Sequence, residues 1–304
     1  SHKTLFDGQT VLVCDVGGGT TDFTLIRVGR QGDQVEFTRT AVGKHLLLGG
    51  DNLDLALSWL VETKLGQQLS LRQRTSMRRQ CAAAKERLLS DGSIESVEIT
   101  VAGSGRALVG GTLRTEVTRE EVLAVAFEGF LPPCGLGDRP QEEKRSLFRE
   151  LGLPYVSDPA ITRHLAAFLA DSGTGPEGPD AILFNGGFFN PEPCRERLAD
   201  VMESWYGRRP QVLASYDLDL AVAMGAAYPC YARHSGAGLL VRGGLPRTYY
   251  IGLGDPPAEG AGAKAVCLVP RGTEDGSLLS VDREDLELVA NRPVSFRLYS
   301  SLTR

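Results

Sequence analysis

A short apolar run, Val11-Leu12-Val13-Cys14, delivers one acidic residue, Asp15, straight into Gly17-Gly18-Gly19-Thr20. A run this short and this apolar predicts a strand buried on both faces, so the chain must build a central sheet around it. At the strand's end a carboxylate, three unhindered amides and a hydroxyl gather around one point, and such a set suits phosphate. Glycine permits positive φ and close backbone approach, so successive N–H groups can converge on an anion, and a carboxylate can hold a Mg²⁺-bound water. Two better-known phosphate motifs do not fit. No Lys-Ser/Thr ending is present for a P-loop, and GxGxxG is missing. Both rivals also pass from turn into helix, whereas Phe23 to Val28 alternates as a further strand. The plain alternative is a hairpin whose glycines serve only the turn. Three glycines exceed what a hairpin needs, and turn chemistry leaves the acid before them unexplained.

The rest of the chain reads as alternating strands and helices. Val35 to Val42 predicts a third strand, and Asp51 or Asn52 a cap for a helix carrying Leu53, Leu57, Leu60 and Val61 inward. A second helix has Met77, Cys81, Ala84 and Leu88 at helical spacing, beside an arginine-rich face beginning at Arg72 that reads as solvated. Short strands are predicted over 94–117, and Thr118-Arg119-Glu120-Glu121 is a capping box for a helix through Phe130. Asp158-Pro159 predicts a helix with Asp as cap and Pro in the first position. Asp180 to Asn185 repeats the buried strand, now entering Gly186-Gly187 and a helix with Cys194, Leu198, Val201, Met202 and Trp205 inward. Asp217 to Tyr231, with Gly225 in its middle, predicts a closely packed helix. Beyond His234 only strands are expected, over Tyr249–Leu253, Ala265–Val269 and Val294–Tyr299.

Composition narrows the partners. With 304 residues and a net charge of −5, the chain has no excess of basic charge with which to neutralise nucleic acid or anionic lipid. Its six cysteines and four histidines are scattered, with no CxxC pair, which signals neither zinc nor a disulfide framework. No apolar run approaches the roughly 18 residues of a membrane span, and no signal pattern opens the chain, so a soluble cytoplasmic protein is expected. Ser1-His2 and the ending at Ser300–Arg304 do not look like natural domain limits, which predicts an excised piece.

Taken in order, these segments resemble the seventy-kilodalton heat-shock chaperones of DnaK type, within the actin-like ATPase superfamily. Asp15 to Asp22 is similar to that family's second phosphate loop, and Leu48-Gly49-Gly50-Asp51-Asn52-Leu53-Asp54 to the segment that follows it. Ala84 to Ser90 resembles its Ala-Lys-x-x-Leu-Ser-Ser helix, and Val117 to Glu121 its Ile-Thr-Arg segment. Leu183 to Pro191 resembles its adenosine loop, and Asp219 to Ala227 the alanine-rich helix that follows. The resemblance covers about residues 10–232. It implies an α/β fold, the second lobe of an actin-like (ribonuclease-H-like) ATPase. Residues 8–62 and 157–235 would form the core subdomain and 63–156 an inserted α+β subdomain. The β-rich extension 236–304 is faintly similar to the start of a peptide-binding β-domain.

The resemblance also implies roles. Asp15 would act near Mg²⁺, through water, and near the attacking water, with Thr20 beside it. Within the cofactor-binding turn that Gly17 opens, Gly18, Gly19 and Thr20 would meet the β- and γ-phosphates, and Gly186 and Gly187 the α-phosphate and ribose. Lys85 matches an adenosine-facing lysine, and Asp219 an acid near the adenosine loop. ATP or ADP with Mg²⁺ is the implied cofactor. The implied partners are the missing first lobe, unfolded-peptide clients and co-chaperones, with no nucleic acid and no membrane. Catalysis would need both lobes, so this piece alone is expected to be inactive. The departures fall in the adenosine pocket. Ala82, Glu86 and Leu89 replace a glutamate, an arginine and a serine, while Phe188 and Asn190 replace a serine and an adenine-stacking arginine. The lost cation–π contact is worth about 0.5–2 kcal/mol. Phe188 or Phe189 could stack on a base instead, or close the pocket as core. A nucleotide-incompetent scaffold that kept the fold is the main alternative function. A sugar or carboxylate kinase on the same fold is a third, without any sequence sign of a substrate pocket.

Overall fold

The computed structural model describes residues 5–31, 34–103, 111–141, 156–215, 217–218, 220–235, 241–242, 244–245, 247–254, 264–274, 276–280 and 296–301. Three strands open the chain: β1 (Thr10–Val16), β2 (Thr21–Gln31) and β3 (Gln34–Val42). Two helices follow, α1 (Gly50–Leu65) and α2 (Leu71–Ser90), then the hairpin β4 (Ser96–Ala102) and β5 (Thr112–Thr118), and α3 (Arg119–Ala124). Next come α4 (Ile161–Asp171), β6 (Ala181–Asn185), α5 (Glu192–Tyr206), β7 (Gln211–Val212) and α6 (Ala221–Ser235). Short strands β8 (Val241–Arg242), β9 (Thr248–Gly252), β10 (Ala265–Val269) and β11 (Leu298–Ser301) complete the described residues.

The apolar run does make β1 central. It pairs antiparallel with β2 and parallel with β6, within a mixed sheet of order β7-β6-β1-β2-β3-β8 among the described residues. Val11, Leu12, Cys14 and Val16 are all buried. The register sets Asp15 opposite Asp22 on one side and opposite Asn185 on the other, so two chain reversals meet at one end of the sheet. The core beneath joins Leu12 and Phe23 to Leu57 and Val61 of α1, Met77 and Leu88 of α2, and Leu198 and Met202 of α5.

Several boundaries differ from expectation for local reasons. Helix α1 starts at Gly50, before the expected caps, because Asn52 accepts the Gly49 N–H (2.9 Å) from inside the first turn. Thr118 and Glu121 form the expected reciprocal cap, at 3.2 and 2.9 Å, but after Ala124 the helix widens to a π turn over Val125–Phe130. Asp158 does not cap α4. Its carboxylate accepts the Gln141 and Ala160 N–H groups and a bidentate pair from Arg163, so the helix begins at Ile161. Asp217 accepts the Leu220 N–H (3.1 Å), which delays α6 to Ala221. The close packing expected of α6 is not present among the described residues: Val222, Met224 and Tyr231 are 73, 58 and 63% exposed. The third predicted tail strand forms only over Leu298–Ser301, and residues 294–295 lie outside the described residues. No described helix is long and apolar enough to cross a membrane, and no described His, Cys, Asp and Glu gather as a metal cluster.

Candidate phosphate site

The glycine turn is braced by the helix beside it. Gly17 N–H closes the hairpin on Thr20 O (2.9 Å). The Gly17 and Gly18 carbonyls then accept from Gly50 N (2.9 Å) and Asp51 N (2.7 Å), two amides that a helix start leaves without intrahelical partners. With those carbonyls occupied by the helix, the N–H groups of Gly18, Gly19 and Thr20 make no hydrogen bond among the described residues. Consecutive free amides at the end of a strand form a concavity suited to an anion. None of Gly17, Gly18 and Gly19 adopts positive φ. Small size, rather than left-handed backbone, is what these three contribute. The tighter requirement lies across from them: a Cβ on Gly49 would stand 2.5 Å from Gly17 O and 2.6 Å from Gly18 O.

A second loop closes on the first. Gly186 has φ +81°, and a Cβ there would fall 2.2 Å from Val16 O and 2.8 Å from Gly17 N. Just before it, Asn185 Nδ2 donates to Asp15 Oδ2 at 2.9 Å, fixing the carboxylate at the mouth of the turn. Asp15, Gly17 to Thr20 and Gly186 are thus brought together, with Gly187 next in the chain. Asn185 and Gly49 belong to the same arrangement. Neither carried a role by its residue type; only the parallel register and the backbone contact reveal them.

The remaining candidates sit differently. Lys85 Nζ lies 2.7 Å from Asp54 Oδ1, with side chains 15 and 11% exposed. The contact is an ion pair, and among the described residues Oδ1 has no hydrogen-bond partner. The ammonium is 3.8 Å from where a Gly50 Cβ would stand, close to the base of the turn. Phe188 and Phe189 follow the core alternative. They are 7 and 0% exposed, and pack with each other (5.4 Å between ring centroids), Phe130 (6.4 Å from Phe188) and Phe184 (4.5 Å from Phe189). Leu89 is buried, whereas Glu86 and Asn190 are exposed. Asp219 lies outside the described residues.

Neighbouring thiols are chemically quiet. Burial, then the Asp54 charge, pushes Cys81 up to about 12, and burial takes Cys194 to about 11 against the pull of Lys85 and Arg195. A nucleophilic role needs the opposite shift.

Comparison with known proteins finds similarity to a family of chaperones. The Hsp70 protein family model matches residues 2–128, which include the glycine turn, the Gly49-Gly50 contact and Lys85. A chaperone protein HscA homolog of Haemophilus influenzae (strain PittGG) is 27% identical over 219 residues, 71% of this chain and 27% of that protein. Chaperone protein HscA of Pectobacterium carotovorum is 28% identical over 218 residues, and the HscA homolog of Azotobacter vinelandii (strain DJ / ATCC BAA-1303) 28% over 222, with the same coverage. The chain spans about a quarter of the length of these curated relatives. These matches make the chain similar to Hsp70-family proteins, and its mixed α/β architecture is consistent with that likeness.

Proposed function

We propose that the chain is the C-terminal lobe of the nucleotide-binding domain of a DnaK-like chaperone, and that the glycine turn holds the phosphates of Mg-ATP or Mg-ADP. The observation that carries this reading is the set of free N–H groups at Gly18, Gly19 and Thr20, presented beside a fixed Asp15 carboxylate. The amides would bind phosphate oxygens, Asp15 would orient a Mg²⁺-bound water, and Thr20 would add its hydroxyl. Gly186 and Gly187 would pass close to the α-phosphate. Lys85 would contribute positive charge near the base of the turn, with Asp54 opposing part of it. A first lobe would supply the other half of the site, and hydrolysis in the paired lobes would drive a coupled peptide-binding domain. Residues 63–156 would be the inserted subdomain and 236–304 the start of that coupled domain. The exposed apolar side of α6 is compatible with a further lobe covering it.

The second reading, a scaffold that kept the fold without productive nucleotide use, is favoured by the adenosine side. Glu86 and Asn190 offer no cation to a base, and the Phe188 ring is occupied by its neighbours.

Thermal melting separates the two. A ligand at 100 times its Kd adds about 2.7 kcal/mol, several degrees in Tm. In a protein carrying both lobes, millimolar Mg-ADP is expected to raise Tm, and Asp15→Asn with Gly18→Val to abolish the rise. An unchanged Tm in that protein would leave only the scaffold.

A further inference from the structure

At the base of the glycine turn a cation is held where the neighbouring helix disfavours one. Gly50 and Asp54 lie four residues apart on α1 and share one face of it. Lys85 reaches onto that face from α2: its Nζ is 2.7 Å from Asp54 Oδ1 and 3.8 Å from where a Gly50 Cβ would stand. The missing side chain at Gly50 makes room for the ammonium. It lies beside the first turn of α1, where a helix carries partial positive charge and favours anions.

Neither charge is fully satisfied. Asp54 is 8% exposed, and its Oδ1 has no hydrogen-bond partner among the described residues. The Lys85 ammonium makes no hydrogen bond to a described residue either, so its donors are unspent. The groups that feel the two charges are buried thiols, Cys81 the Asp54 carboxylate and Cys194 the Lys85 ammonium. A pair this enclosed has given up hydration that mutual attraction only partly replaces.

The carboxylates around the turn give those unspent donors a direction. Asp15 is fixed at its mouth, and Asp51 Oδ1 stands 3.4 Å from where a Gly18 Cβ would be. An anion on the amides of Gly18, Gly19 and Thr20 therefore meets negative charge from two sides, and Lys85 supplies positive charge from beneath. Whatever holds Lys85 back weakens the capture of that anion.

This inference rests on the phosphate reading above. We propose that Asp54 sets the affinity of the site by competing with the bound phosphate for Lys85, so that the ammonium is divided between the buried carboxylate and a phosphate oxygen. Asp54 is a positioning residue that touches no ligand. It holds Lys85 within reach of the turn and keeps the anion exchangeable.

The test measures Mg-ADP and pyrophosphate binding by calorimetry in a protein carrying both lobes, as wild type, Asp54→Asn, Lys85→Met and the double variant. Circular dichroism checks that each is folded. Asp54→Asn is expected to tighten binding about tenfold and Lys85→Met to weaken it about tenfold. The double variant should match Lys85→Met, because without the ammonium there is nothing to compete for. The Lys85 side-chain ¹⁵N resonance, followed in wild type and so independent of any variant's folding, should move on the binding isotherm. Unchanged or weaker binding in Asp54→Asn, a gain that persists in the Lys85→Met background, or an unmoved Lys85 resonance overturns the proposal and leaves the phosphate site standing. Failure of wild type to bind either anion overturns the phosphate reading, and this inference with it.

Discussion

Asn185 donates from Nδ2 to Asp15 Oδ2 at 2.9 Å, tying together the ends of two parallel strands that lie 170 residues apart in sequence. The acid at the mouth of the glycine turn therefore owes its orientation to the second half of the sheet. In a protein with both lobes, Asn185→Leu is expected to weaken Mg-nucleotide about tenfold. Calorimetry with and without Mg²⁺ checks it: the loss should be largest with the metal present, and a variant indistinguishable from wild type would remove Asp15 from the metal's surroundings.

The glycines are not equivalent. Gly186→Ala combines φ +81° with a Cβ 2.2 Å from Val16 O, and is expected to cost at least about 3 kcal/mol. Gly19 has nothing within 4 Å of its Cβ position, so Gly19→Ala is expected to cost under about 1 kcal/mol while crowding the anion. Urea denaturation beside nucleotide titration tests both. A Gly19 variant that unfolds would mean the turn is tighter than its geometry implies.

Among the described residues, Asp158 is the most deeply enclosed carboxylate of an ion pair, with its side chain 1% exposed and both oxygens 2.7 Å from Arg163 nitrogens. Burial raises its pKa, but the Arg163 and backbone hydrogen bonds outweigh it, and the net shift is downward. A lowered pKa contributes stability above the unfolded value of about 4, lost as pH falls through the folded one. Asp158→Asn is expected to cost about 3 kcal/mol at pH 7. In denaturation series the gap to wild type should narrow below about pH 4; a constant gap would assign the effect to packing.

Thiol reactivity offers a check on burial. Cys230 and Cys267 are exposed and should react promptly with an aromatic disulfide at pH 8, whereas Cys14, Cys81 and Cys194 should react only on unfolding. Cys81, raised to about 12, also contributes stability that is complete below the unfolded thiol value of about 8.5 and declines as pH rises toward 12. Rapid labelling of more than three of the six cysteines would contradict the described core.

What the sequence disclosed follows from where the physics is local. A continuous apolar run ending in Asp15 announced the central strand, and Thr118 with Glu121 announced a cap, because both signals lie within a few residues. Nothing local marks Asn185 as the partner of Asp15; parallel pairing across the whole domain creates that contact. Asp158 showed the same limit in reverse. Its Asp-Pro pattern read as a helix cap, but a bidentate arginine in the first turn of the helix captured the carboxylate. The freedom expected at Gly17, Gly18 and Gly19 proved to matter at Gly186 instead, since only the meeting of two loops decides which backbone must turn left-handed.

The bracing of the glycine turn has a kinetic side. Two of its carbonyls are fixed to the first amides of α1, so the turn has little freedom left to lose when an anion arrives. Ordering costs are a large part of what separates contact area from affinity. If the turn binds phosphate as proposed, capture should need no loop rearrangement, and its association rate should be set by diffusion.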